Sequence, residues 1–196
     1  MIKKFIRKFL GVKNGANDRT GPVVLGADQH KIDPRLVSSN ALRVTQSLQD
    51  AGFEAFVVGG AVRDLLLGIK PKDFDIATNA TPEQVKRLFR RAFIIGKRFQ
   101  IVHVMFGQDL LEVTTFRGAQ QDSAPKDEHG RVLRDNNFGP QHEDAARRDF
   151  TINAMYYNPA TQEVLDYHGG IADIRDKQLR IIGVPEARFR EDPVRM

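Results

Sequence analysis

Three strand-like segments, residues 92–95, 101–106 and 110–116, follow one another with only hairpin-sized gaps between them. Parallel neighbours need a crossover of a dozen or more residues, and none is available here. A doubly wound parallel sheet is therefore excluded, and antiparallel pairing is required at the centre of the chain. Around this block the periodicity changes. Leu36, Val37, Ala41, Leu42, Val44 and Leu48 recur at helical spacing up to Gly52, a natural helix stop. Residues 53–58 form an apolar run that fits a buried strand ending at Gly59-Gly60. Residues 61–67 suit a short helix stopped by Gly68, and residues 73–78 alternate as a strand does. Thr81-Pro82-Glu83-Gln84 supplies an N-cap, a first-turn proline and a capping-box glutamine, predicting a helix to about Arg90. Residues 143–157 predict a helix with several charges on one side. Short strands near 164–167 and 179–182 follow, then the first turns of another helix over 185–196. The expected class is α/β (α+β), with a mixed, partly antiparallel sheet.

The two ends and one internal stretch stand apart from this pattern. Residues 1–10 place Ile2, Phe5, Ile6, Phe9 and Leu10 opposite Lys3, Lys4, Arg7 and Lys8. The readings open for them are a frayed basic extension, an RNA-contacting arm and a helix on a membrane surface. Residues 11–31 are mostly polar and read as a linker. The polar span 118–140, rich in Asp, Gly and Asn, reads as a long loop. The expected division is an extension and linker over 1–32, a single domain over 33–183 and the start of a helical region over 184–196. No apolar run approaches the roughly 20 residues that a spanning helix needs, so a cytoplasmic location is expected. There is no cysteine, which excludes disulfides and thiolate metal sites and favours Mg²⁺ or Mn²⁺ for any metal. The net charge of +5 suggests a polyanionic partner.

Four groups of residues carry chemistry. Gly59-Gly60-Ala61-Val62-Arg63-Asp64 is a strand–glycine–helix junction, where backbone can approach an anion and Arg63 can reach the same phosphate. It also reads as an ordinary tight turn with Arg63 paired to a carboxylate. Asp73 and Asp75 flank Phe74. On a strand both carboxylates would face one way, about 7 Å apart, as a shared divalent cation pair requires. Glu112 lies in the alternating stretch Leu111-Glu112-Val113-Thr114-Thr115-Phe116-Arg117. It is either a third carboxylate for that site or an outward-facing charge. Arg117, just beyond, could serve a phosphate or the loop. On the predicted helix over 143–157, Arg148 suits a triphosphate, and Asp149 and Asn153 suit ribose hydroxyls. A solvated, salt-bridged helix face is the competing interpretation. Finally, Glu191, Asp192, Pro193 and Arg195 are either helix-start chemistry or an edge that reads a base.

Taken in order along one chain, these groups resemble the class II tRNA nucleotidyltransferase and bacterial poly(A) polymerase family. The motifs that carry the resemblance are Val58-Gly59-Gly60-Ala61-Val62-Arg63-Asp64, Lys72-Asp73-Phe74-Asp75, Arg147-Arg148-Asp149-Phe150-Thr151-Ile152-Asn153-Ala154-Met155 and Arg190-Glu191-Asp192-Pro193-Val194-Arg195. The resemblance implies a polymerase-β-like nucleotidyltransferase head followed by a helical neck, and two-metal transfer with ATP as substrate and RNA 3′ ends as acceptor. It implies Asp73 and Asp75 at Mg²⁺, with Gly59, Gly60, Arg63 and Arg148 at the triphosphate. Asp149 would stand at the sugar, and Glu191, Asp192 and Arg195 would read the base. Either Glu112 or Asp149 could hold a third catalytic place. The stretches 98–107 and 130–139 resemble the bacterial poly(A) polymerase I branch, which implies AMP addition; tRNA CCA addition is the neighbouring alternative within the family. The family pattern continues into neck, body and tail regions that grip RNA, whereas this chain stops at Met196. A truncated piece is therefore expected, in which nucleotide binding is better supported than efficient polymerisation. A non-catalytic nucleotide- or RNA-binding fragment is a further alternative.

Overall fold

Alternating apolar residues in eight segments fold into one sheet, seen in a computed structural model that describes residues 21–97, 99–119 and 137–191. The strands are β1 (Val23–Leu25), β2 (Ala55–Val58), β3 (Asp75–Thr78), β4 (Ala92–Ile95), β5 (Ile101–Phe106), β6 (Asp109–Thr115), β7 (Met155–Asn158) and β8 (Glu163–Asp166). Their spatial order is β1-β8-β7-β2-β3-β6-β5-β4. Every neighbouring pair is antiparallel except β3 and β6, which run parallel. The mixed, partly antiparallel sheet expected from the hairpin spacing is thus present, and β4–β5–β6 is a meander.

Helices cover one face and part of the other. They are α1 (Ala27–His30), α2 (Ser39–Asp50), α3 (Gly60–Leu66), α4 (Pro82–Leu88), α5 (Gln141–Arg147), α6 (Gly170–Arg175) and α7 (Pro185–Glu191), with 3-10 turns at Pro34–Leu36 and Thr151–Asn153. The inward stripe of α2 (Ala41, Val44 and Leu48) is fully buried, joining Val62, Leu65, Ile76, Val85, Val102, Val113 and Tyr157 in the main core. Each fully buried Val or Leu in that layer contributes roughly 2 kcal/mol. Helix α4 begins as its sequence requires: the Thr81 hydroxyl accepts from the Gln84 N–H at 3.3 Å, and the Gln84 carboxamide accepts from the Thr81 N–H at 2.7 Å. The opposite face is covered only in part. Phe56, Val58, Ala77, Phe116 and Tyr156 pack there beneath Ala145 of α5.

Several local expectations are corrected. The helix over 143–157 stops at Arg147; Arg148 is extended, a 3-10 turn follows, and the chain enters β7 at Met155. The cause is tertiary. The carbonyls of Arg147 and Arg148 accept from the Arg188 guanidinium at 2.6 Å each, contacts that hold the extended turn following α5. Beyond them, Thr151 N–H donates to Arg180 and Ile182 N–H to Asp149, at 3.0 and 2.8 Å. Met155-Tyr156-Tyr157 then takes its place between β2 and β8, where aromatic residues suit a buried pleated surface. The strand near 179–182 is only the isolated bridge Phe150–Ile181. Part of the expected linker is structural, since β1 pairs with β8 and α1 follows it. The strand over 73–78 begins at Asp75, so Asp73 precedes it.

The long excursion after β6 leaves and returns at one point. Gly118 N–H donates to Asn137 at 2.7 Å, and Gly139 N–H donates to Phe116 at 3.1 Å. The approach is so close that a Cβ on Gly139 would lie 2.4 Å from the Gly118 Cα. Residues 1–10 and 120–136 and the positions Asp192 and Arg195 lie outside the described residues, so the expectations placed on them are not addressed by the fold. Among the described residues, no helix is long and apolar enough to cross a membrane.

Candidate active site

The antiparallel pairing of β2 with β3 sets Val58, the last residue of one, opposite Asp75, the first of the other. The glycine junction that follows Val58 is thereby brought to the same sheet edge as the acidic pair. Gly59 has φ +72°, a conformation that favours glycine. A Cβ there would lie 3.7 Å from Arg148 Nη1 and 3.9 Å from Asp75 Oδ2. The missing side chain leaves an open space between a guanidinium and a carboxylate.

The parallel pairing of β3 with β6 sets Asp75 beside Glu112 on the same face of the sheet, about 4.8 Å apart between strands. Glu112 in turn faces His103 of β5, with Nε2 and Oε1 3.5 Å apart. Partial desolvation, the Glu112 carboxylate and the Asp73 carboxylate raise the Asp75 pKa above the ordinary carboxylate range, and the Arg148 charge only partly offsets them. A concentration of negative charge that raises one of its own members in this way fits a divalent cation. All three side chains offer hard oxygen ligands, as Mg²⁺ and Mn²⁺ prefer. Among the described residues, no group of three or more acidic or imidazole side chains is drawn tightly enough to cage a metal unaided.

The charge effect has a consequence for stability. The folded chain holds the Asp75 proton more tightly than the unfolded chain does. The metal-free protein therefore loses stability as pH rises from the ordinary carboxylate range through the raised value. Solvent screening keeps this effect small. Asp75→Asn is expected to raise the melting temperature in EDTA at pH 7 by about 2 °C, with the gain disappearing in acid. Differential scanning fluorimetry across pH measures this; a melting temperature lowered at pH 7 would contradict the charge clustering.

Two hydrogen-bonded chains flank the acidic edge. In one, Arg63 Nη1 donates to Asn153 Oδ1 at 3.0 Å, and Asn153 Nδ2 donates to Asp149 Oδ1 at 3.4 Å. Arg63 also pairs with Asp64 at 2.8 Å, so the alternative reading of a carboxylate partner is realised alongside the junction. In the other, Arg148 Nη2 donates to Asp144 Oδ2 at 3.2 Å, and Arg148 Nε donates to the Tyr156 hydroxyl at 3.2 Å. Tyr156 OH donates to the same Asp144 oxygen at 2.6 Å. Burial opposes the Arg148 charge, yet Tyr156 and Asp144 outweigh it and hold its pKa above the usual guanidinium value. Burial above all pushes the Tyr156 pKa up, so it remains a hydroxyl donor.

The structure therefore gathers Gly59, Asp75, Glu112 and Arg148 at one edge, with Asp73 in charge contact. It joins Arg63, Asn153 and Asp149 alongside. Arg117 joins this group only through its backbone, its N–H donating to Asp144 at 3.0 Å, while its side chain stacks on Phe99, 4.5 Å from the ring centroid. Asp192 and Arg195 are outside the described residues; Glu191 closes α7, and its side chain is not described. Sequence reasoning missed Asp144, Tyr156 and Arg188. Asp144 carries a signal, since it stands four residues before Arg148 on α5. Tyr156 and Arg188 reach the site only through long-range packing.

The family described as Poly A polymerase head domain matches residues 55–180. Poly(A) polymerase I of Escherichia coli O6:H1 is 49% identical over 205 residues, covering 100% of this chain and 44% of that protein. Poly(A) polymerase I of Haemophilus influenzae is 52% identical over 179 residues, covering 88% of this chain and 40% of that protein. The chain thus spans under half the length of these curated relatives. Among solved structures, the Bacillus stearothermophilus CCA-adding enzyme in complex with CTP aligns with a TM-score of 0.66 at 38% identity, over 80% of this chain and 36% of that one.

Proposed function

The chain belongs to the poly(A) polymerase head-domain family, and from that membership we propose that it is the nucleotidyltransferase portion of an enzyme adding AMP from ATP to RNA 3′ ends. Its fold is that of a polymerase-β-like nucleotidyltransferase head. The observation that carries the reading is the juxtaposition of Asp75, Glu112, Gly59 and Arg148 at one sheet edge.

In this reading Asp73 and Asp75 hold two Mg²⁺ ions (Mn²⁺ substituting), and Glu112, beside Asp75, is the third carboxylate. The bound metal supplies activation of the RNA hydroxyl and neutralisation of phosphate charge. Gly59 and Gly60 let the triphosphate approach the backbone. Arg148, fixed by Asp144 and Tyr156, presents a guanidinium to it in a set orientation. Arg63 assists from the junction, where Asn153 positions it, and Asp149 with Asn153 meets the sugar. Glu191, Asp192 and Arg195 read the base. Arg117, stacked on Phe99, belongs to the support of the loop rather than to the triphosphate. We assign residues 23–183 to the head, since β1 belongs to its sheet, preceded by an extension over 1–22 and followed by the start of the neck over 184–196, in a cytoplasmic protein.

AMP addition is favoured over CCA addition because the two poly(A) polymerase I relatives are 49% and 52% identical over 100% and 88% of the chain, against 39–46% over 78–80% of the chain for CCA-adding enzymes. The stretches 98–107 and 130–139 point the same way. Incubating the protein with RNA, Mg²⁺ and each nucleotide in turn is expected to give repeated AMP addition with ATP alone. Ordered addition of two cytidines and one adenosine, confined to tRNA ends, would replace this reading with the CCA-adding one. Nucleotide and RNA binding without any transfer would leave the binding-fragment alternative.

A further inference from the structure

The half of the sheet that α5 does not cover carries an organised face. Strand register places Asp75, Glu112, His103 and Phe93 in one row across β3, β6, β5 and β4. The next row runs from Ala77, packed beneath α5, through Thr114 and Ile101 to Ile95, and on the other side lie Leu110 and Met105. Phe93, Ile95 and Leu110 are 54%, 48% and 45% exposed, unusual for large apolar side chains sharing one face. The helix side of the same strands is buried, so these residues do not serve the core.

Position and charge identify what fits this face. It starts at the acidic edge and runs away from it toward β4. Arg91 is two residues before Phe93 on the same face, next to Arg90, and Lys97 lies two residues past Ile95; all three are exposed. Apolar and aromatic surface flanked by cations suits a single-stranded nucleic acid, whose bases stack while its phosphates meet the flanking charge. The scale also fits. Three strand spacings separate Asp75 from Phe93, about 14 Å, which is the reach of roughly two nucleotides behind a hydroxyl held at the carboxylates.

The geometry points to the β6–β5–β4 face as the track for the growing RNA strand, with Phe93 as a base-stacking platform about two nucleotides behind the 3′ end. This rests on the proposed reading of the acidic edge for its polarity, but not for the contact itself. The His103–Glu112 pair occupies the intermediate step, beneath the nucleotide between the reacting end and Phe93. The track binds by stacking and backbone charge, so it accepts any base, as tail extension demands.

The test is fluorescence anisotropy with 5′-labelled hexa-adenylate and with labelled di-adenylate, each with and without Mg²⁺. ATP binding is measured in parallel. Phe93→Ala is expected to weaken hexa-adenylate binding about 10-fold while leaving di-adenylate, which is too short to reach β4, unchanged. Phe93→Trp restores hexa-adenylate binding, and ATP binding stays at the wild-type level in both variants. An unchanged hexa-adenylate affinity in Phe93→Ala overturns the track. So does an equal fall in ATP and RNA affinity, which marks structural damage. The metal-free arm reads the RNA contact independently of the acidic edge, so the track and the metal-site reading succeed or fail separately.

Discussion

Alanine in place of Asp73 or Asp75 is expected to lower kcat for nucleotide transfer about 10³-fold or more. The metal ions that these residues would hold supply several kcal/mol of charge stabilisation in the transition state, and each 1.4 kcal/mol is roughly tenfold in rate. Asp75 starts β3 on the open face, and Asp73 precedes the strand in an exposed position, so neither side chain fills the core. The fold should survive, with removal of one negative charge easing the repulsion that raises the Asp75 pKa. Single-turnover transfer with ATP and Mg²⁺, alongside Mn²⁺ binding followed by electron paramagnetic resonance, separates loss of chemistry from loss of structure. Turnover within tenfold of wild type in either variant, with normal folding, would remove the acidic pair from the chemistry. Glu112→Gln is the matched comparison, since it tests the neighbour that strand register places beside Asp75.

The second large effect is structural. Asp144 is 7% exposed and accepts from the Arg117 N–H at 3.0 Å, from Arg148 at 3.2 Å and from Tyr156 at 2.6 Å. Asp144→Ala strands the Arg148 charge and the Tyr156 hydroxyl together. Breaking a buried pair by deleting one partner costs about 3–5 kcal/mol. For a domain of this size that lowers the melting temperature by roughly 10 °C. The same change frees the guanidinium that borders Gly59, so KM for ATP should rise. Asp144→Asn preserves shape and one hydrogen bond and should lose less, and Arg148→Met added to Asp144→Ala should recover part of the stability. Urea unfolding of the set measures this. A loss of under about 1 kcal/mol in Asp144→Ala would show that Arg148 is held by other means.

Much of the fold was legible because its signals were local. The hairpin gaps of β4–β5–β6, the capping residues of α4 and the apolar stripe of α2 each lie within a few residues of one another. The acidic edge was partly legible: Asp73, Asp75 and Glu112 could be nominated singly, but only the parallel β3–β6 pairing makes Asp75 and Glu112 neighbours. What the sequence hid was decided at long range. Residues 148–157 have helix-compatible character, yet the chain is extended at Arg148, whose carbonyl accepts from Arg188, 40 residues away. Likewise β1, short and largely exposed, forms only because β8 offers it an edge. Arg148 was nominated for its charge; its orientation depends on Tyr156 and Asp144, which no spacing rule identifies together.

The pinch where Gly118 and Gly139 meet has a consequence for how such a chain can vary over generations. Whatever is threaded between those two glycines begins and finishes at nearly the same place, so its size is uncoupled from the alignment of the strands. Doubling the segment adds only about 0.6 kcal/mol of closure entropy. A peptide tag, a reporter or a small foreign domain grafted there should leave the acidic edge undisturbed, while one residue inserted into the β5–β6 turn would shift every side chain of a strand to the wrong face.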